Sequence, residues 1–140
     1  RRPVGFGGVD QRRNLGGAAG SLFTGLQHCT VAPGKWGQAP HCHSAEEEIF
    51  VVLGGEGTLL LWDGDEPSEH PLRAGTTVAR PAGTRVAHSF RSGDDPLVYL
   101  AYGTREPNDI AYYPRSNKIF FRGVGVIARV ERLDYWDGEE

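Results

Sequence analysis

Short runs of alternating apolar and polar residues fill most of the chain, each closed by glycine, proline or an Asp-Gly pair. In an extended strand such alternation puts successive side chains on opposite faces. Residues 21–31 predict a strand that ends at the turn sequence Ala32-Pro33-Gly34. Residues 48–53 and 57–62 predict two more, parted by Gly54-Gly55, and Asp63-Gly64-Asp65 is a hairpin signal tolerant of positive φ. Residues 69–72, 76–80 and 86–91 continue the series. The unbroken apolar run 97–102 predicts a strand buried on both sides. Residues 104–117, with Pro107 and Pro114, read as a loop or helical turn, and 118–133 are β-rich again, with Gly123 and Gly125 marking a bend or bulge. Beyond the first residues, apolar positions nowhere keep helical spacing over three turns. Many short strands between Gly/Pro turns indicate an all-β sandwich or barrel.

Composition narrows this picture. A length of 140 residues suits one domain, divided here into a flexible Gly/Arg-rich arm (1–20), a β domain (21–133) and an acidic tail (134–140). Arg1, Arg2, Arg12 and Arg13 make the arm basic; it is expected to add an edge strand, the sharper alternative being a grip on phosphate. A net charge of -3 and a pI near 6.0 argue against nucleic acid or an anionic membrane as the main partner. No apolar run approaches the ~20 residues of a membrane span. Cys29 and Cys42 do not make a disulfide framework. The start lacks the apolar core of a secretory signal, and the absence of Met implies that the chain is trimmed from a longer product. Cytoplasmic location is the expectation.

The chemistry centres on His41-Cys42-His43 followed by Glu46-Glu47-Glu48. On a strand, His41 and His43 aim their rings at one locus while Cys42 points away. A short turn and a second strand opening at Glu48 would return a carboxylate to that locus, with Glu47 as the alternative. Imidazole and carboxylate together suit a divalent transition metal such as Fe, Ni, Mn, Co or Zn. His28 reads as structural or surface, and His70 as solvated.

Gly34, His41, His43, Glu48 and Gly55 together resemble the first motif of the cupin superfamily. Gly75, Pro81, Gly83 and His88 resemble the second, with a longer spacer before the histidine and Ser92 where an asparagine is common. The resemblance covers about residues 20–103. It implies a double-stranded β-helix (jelly-roll) barrel holding one divalent metal through His41, His43, Glu48 and His88. Four such ligands on an octahedral metal leave about two positions open for water, substrate or O₂. Gln38, Phe50, Arg80, Phe90 and Tyr102 are the candidate substrate-pocket residues, with Trp62 and Tyr99 as either lining or plain core. The stretch from Asp109 to Arg122 is similar to that of small cupins labelled sugar-phosphate-isomerase-like.

Three function classes follow for a small-molecule substrate. The leading one is an oxidoreductase of the dioxygenase type. Another is a non-redox isomerase, epimerase or lyase, with Glu47 or Tyr102 as the base. The third is a metal-containing binding or regulatory module without turnover. An apolar, aromatic lining would favour an aromatic substrate, and a cluster of Lys and Arg would favour sugar phosphates. The barrel edges and the terminal β segment suggest a homodimer.

Overall fold

The computed structural model describes residue 9 and residues 11–139; the rest of the expected arm and the last residue of the tail lie outside the described residues. The strands are β1 (Gln11–Asn14), β2 (Gly25–Val31), β3 (Cys42–His43), β4 (Glu48–Gly54), β5 (Glu56–Trp62), β6 (Pro67–Arg73), β7 (Thr77–Arg80), β8 (Ala87–Ser92), β9 (Leu97–Gly103), β10 (Ile110–Tyr113), β11 (Lys118–Phe121) and β12 (Val126–Arg129). One sheet runs β1-β2-β9-β4-β7, a second β12-β11-β10-β3 and a third β6-β5-β8. A bridge between His41 and His88 joins the second sheet to the third, so the chain closes as two layers, a jelly-roll barrel. No helix among the described residues is long and apolar enough to cross a membrane.

Period-two patterning places the core. On β4, Phe50 and Val52 point inward while Ile49 and Leu53 are exposed. Phe50 and Val52 pack with Cys29, Val31, Leu59, Leu72, Val78, Phe90, Leu97 and Tyr99 between the layers. Cys29 and Cys42 are both buried free thiols. Leu60, Trp62 and Ala87 form a smaller cluster under Trp36 on the other face of β5. The strands buried on both faces are therefore β5 and, more completely, β8. The apolar run of β9 buries Leu97 and Tyr99, but its outer face is only half covered and Tyr102 is 40% exposed, a correction to the two-sided burial expected. A second correction falls in 104–117, where Ile110–Tyr113 is a strand seated between β3 and β11. Four residues between proline-containing turns are too few to register as alternation.

One motif glycine is structural. Gly55 turns from β4 to β5 at φ +76°, where a Cβ would collide with the Pro96 carbonyl oxygen. Left-handed backbone and overpacking each penalise a side chain there. Gly55→Ala is expected to lower unfolding free energy by about 2–3 kcal/mol, measured by urea denaturation; an unchanged midpoint would contradict this placement.

Candidate metal centre

The His41-Cys42-His43 segment runs extended, and its reciprocal backbone bonds with His88 (3.3 and 3.0 Å) draw β8 against it. Three imidazoles therefore cluster, with ring centroids 5.0 Å apart for His41–His43 and 4.8 Å for His41–His88. Glu48 opens β4 on the facing layer, and its Oε2 lies 3.4 Å from His43 Nε2 and 3.3 Å from His88 Nε2. Donor atoms of His41, Glu48 and His88 all fall within 4.8 Å of one another, as do those of His43, Glu46 and Glu48.

In His41 and His43 the partner of one ring nitrogen tells which one is free. His41 Nδ1 is 2.7 Å from the Ala39 carbonyl, which can only accept, so Nδ1 carries the proton. His43 Nδ1 is 2.6 Å from Asp109 Oδ2. His43 Nε2, His88 Nε2 and Glu48 Oε2 are buried without a hydrogen-bond partner. Buried polar atoms are rarely left so, and here two imidazole nitrogens approach one carboxylate oxygen. The donor set suits a divalent transition metal: imidazole nitrogens and carboxylates, gathered in two groups that share Glu48.

Burial and the neighbouring imidazoles His88 and His43 push His41 down to about 4. Burial also works against a charged His43, yet the carboxylates of Glu48 and Asp109 outweigh it and lift His43 to about 9. Partial burial works against a charged Glu48 as well, but His43 and His88 outweigh it and hold it well below the usual carboxylate range.

A cavity of about 630 Å³ opens above the cluster. Of the residues expected to line it, Gln38, Phe50 and Tyr102 do so, Tyr102 at the rim. Arg80 and Phe90 are not brought to it. Arg80 lies on the far side of His43 and His88, donating to the Val86 carbonyl at 3.1 Å. Phe90 sits behind Phe50 in the core, centroids 4.8 Å apart, and Tyr99 and Trp62 are core as well. Glu47, the alternative ligand and base, is exposed.

The structure adds residues that sequence reasoning did not find. Gln27, Arg105 and Arg122 line the cavity, beside Arg12 of the basic arm, for which a grip on phosphate is the sharper expectation. Buried Glu46 accepts from Arg122 (2.6 Å) and from the Arg105 backbone N–H (3.0 Å). Arg105 is held at φ +52°, a conformation unusual outside glycine, and its side chain lies against Gly25. Asp109 is 1% exposed. No local spacing marks any of them; the contacts that place Arg105, Asp109 and Arg122 join residues 59, 66 and 76 apart in the chain.

Residues 27–103 match the cupin domain family. A candidate sugar phosphate isomerase from Acidithiobacillus ferrooxidans superposes with a TM-score of 0.73 at 32% identity, covering 87% of this chain and 80% of that one. A cupin-superfamily sugar phosphate isomerase from Silicibacter pomeroyi gives a TM-score of 0.78 at 29% identity, covering 91% and 83%. Auxin-binding protein 1 of Arabidopsis thaliana is 36% identical over 107 residues, which are 68% of this chain and 52% of that protein. The chain thus spans about half the length of that curated relative.

Proposed function

Because the chain belongs to the cupin family, we propose that it is a metal-dependent enzyme acting on a small, hydroxylated, anionic molecule of the sugar phosphate class, by non-redox isomerisation or epimerisation. The observation that carries this is the cavity lining: Arg12, Arg105 and Arg122 with Gln27 and Gln38, set above the histidine–glutamate cluster. Guanidinium groups match phosphate oxygens and amides match hydroxyls. His41, His43, Glu48 and His88 would hold the cation. When bound, it would polarise a substrate carbonyl or hydroxyl as a Lewis acid. Glu46 is the lining carboxylate outside that set, and both its oxygens already accept hydrogen bonds. It therefore orients the Arg122 side chain, anchors the Arg105 backbone and is a poor base. The names of the two bacterial relatives agree with this substrate class.

An oxidoreductase of the dioxygenase type is the second reading, favoured by the positions that a three-histidine, one-carboxylate set leaves open. The test is proton exchange into D₂O at the substrate carbon, followed by NMR. Protein loaded with manganese, cobalt, nickel or zinc is given phosphorylated and unphosphorylated aldoses without O₂. Exchange of the phosphorylated compounds is expected, with Arg105→Ala raising KM about tenfold or more through loss of a charged hydrogen bond. Turnover that requires O₂ and consumes it would overturn the isomerase reading in favour of the second.

A further inference from the structure

Asp109 belongs to neither cupin motif and lies past residue 103, where the family match ends. It is nevertheless among the most deeply buried carboxylates of the described chain, at 1% exposure. Oδ1 accepts from the backbone N–H groups of Ala45 and Glu46, both at 2.9 Å, and from Ser44 Oγ at 3.5 Å. Oδ2 faces His43 Nδ1 at 2.6 Å, with an Arg122 nitrogen 3.8 Å away. The two oxygens thus do different things: one closes the turn between β3 and β4, the other reaches the ring.

We infer that Asp109 is the positioning residue of the centre, fixing the His43 proton on Nδ1 so that Nε2 presents its lone pair to a divalent cation. The inference rests on His43 being a ligand, as in the proposed function, and is independent of the substrate. A carboxylate can only accept, so the ring must keep its proton on the Asp109 side. The same contact fixes the plane of the ring, since a 2.6 Å bond to a buried carboxylate leaves little rotational freedom. The Oδ1 contacts set the chain direction between His43 and Glu48, so one side chain fixes both a ligand and its spacing to the next. The pair of bonds between Ser44 and Ile110 (both 2.9 Å, one through Ser44 Oγ) holds β10 against this turn.

Asp109→Asn separates these roles. Its amide oxygen can keep the Ala45 and Glu46 N–H groups, but its NH₂ then confronts the ring nitrogen with a donor. The proton is driven to His43 Nε2, where it blocks the cation. The expected result, by competition of zinc with a chromophoric chelator, is affinity lowered about 10–100-fold with circular dichroism unchanged. Ser44→Ala, which loosens the same turn without touching the ring, should stay within about twofold of the parent. An unchanged affinity in Asp109→Asn, or an equal loss in Ser44→Ala, would overturn the assignment. If Asp109→Asn does not fold, ¹⁵N-edited NMR of the zinc-loaded parent decides. A slowly exchanging His43 Nδ1 proton supports the inference, and a ring protonated on Nε2 ends it. A parent that binds no cation at all would sink the ligand reading, whereas normal binding with the wrong tautomer would sink this one alone.

Discussion

His88→Ala is expected to strip the chain of most of its affinity for a divalent cation, by at least about 100-fold, while the barrel stays folded. Losing an outer hydrogen-bond partner typically costs about 10–100-fold, and a ligand costs more. His88 is 2% exposed, lies in β8 on the second motif, and is tied to the first by its backbone bridge and ring contact with His41 and its 3.3 Å approach to Glu48. Both its ring nitrogens are buried without a hydrogen-bond partner, which costs about 1–3 kcal/mol for such a group. Alanine removes that penalty along with the packing of the ring on Phe50, at 5.6 Å between centroids. The two effects oppose one another. The metal-free variant should therefore melt near the metal-free parent, and the loaded parent well above both. Elemental analysis and chelator competition measure the first effect, and calorimetry the second. Full metal retention would show that the second motif does not contribute a ligand.

The approach of His41, His43 and Glu48 is legible because parity aims both imidazoles one way along an extended segment, and the short turn into β4 brings Glu48 back toward them from the facing sheet. His88 came only with the second motif, since the bridge that seats it spans the two sheets. Parity also explains where pocket expectations diverged. Arg80 pairs with Glu48 across β4 and β7 and so faces inward, but its guanidinium turns back to the Val86 carbonyl. Phe90 shares a face with His88 yet sits one layer deeper, with Phe50 between it and the cavity. Asp109 could not be read at all. It lies 66 residues from His43, in a stretch whose four-residue strand shows no alternation, and an Asp after Pro107-Asn108 looks like any turn residue. Arg105 and Arg122 were hidden in the same way. What the sequence conveys well is local periodicity. What it withholds is the long-range pairing that carries the outer residues to the centre.

Glu48 and that outer carboxylate make the metal-free protein lose stability as pH rises, a decline the loaded form does not share. His43 rises from 6.5 to about 9 in the fold, because Glu48 and Asp109 outweigh its burial. Between those values the folded state holds a proton that the unfolded state releases, so its contribution is full below about 6.5 and fades as pH rises to about 9. His41 has the reverse sign. Burial and the other imidazoles lower it to about 4, so between 6.5 and 4 the unfolded state takes a proton that the fold refuses, and stability falls as pH drops. Glu48 and Asp109, both held down, act on the acid side as well. Stability of the metal-free protein should therefore peak near pH 6.5. At about 1.4 kcal/mol for each pH unit between the folded and unfolded values, each flank amounts to about 3 kcal/mol across its window. A divalent cation must displace the His43 proton, so binding tightens as pH rises and the alkaline decline disappears in the loaded protein. Urea denaturation from about pH 5 to about 8.5, with and without zinc, measures both curves. A metal-free curve that is flat over the alkaline half of that range would mean that His43 is not charged beside Glu48 and Asp109. Parallel curves with and without zinc would mean that the cation does not compete for its proton.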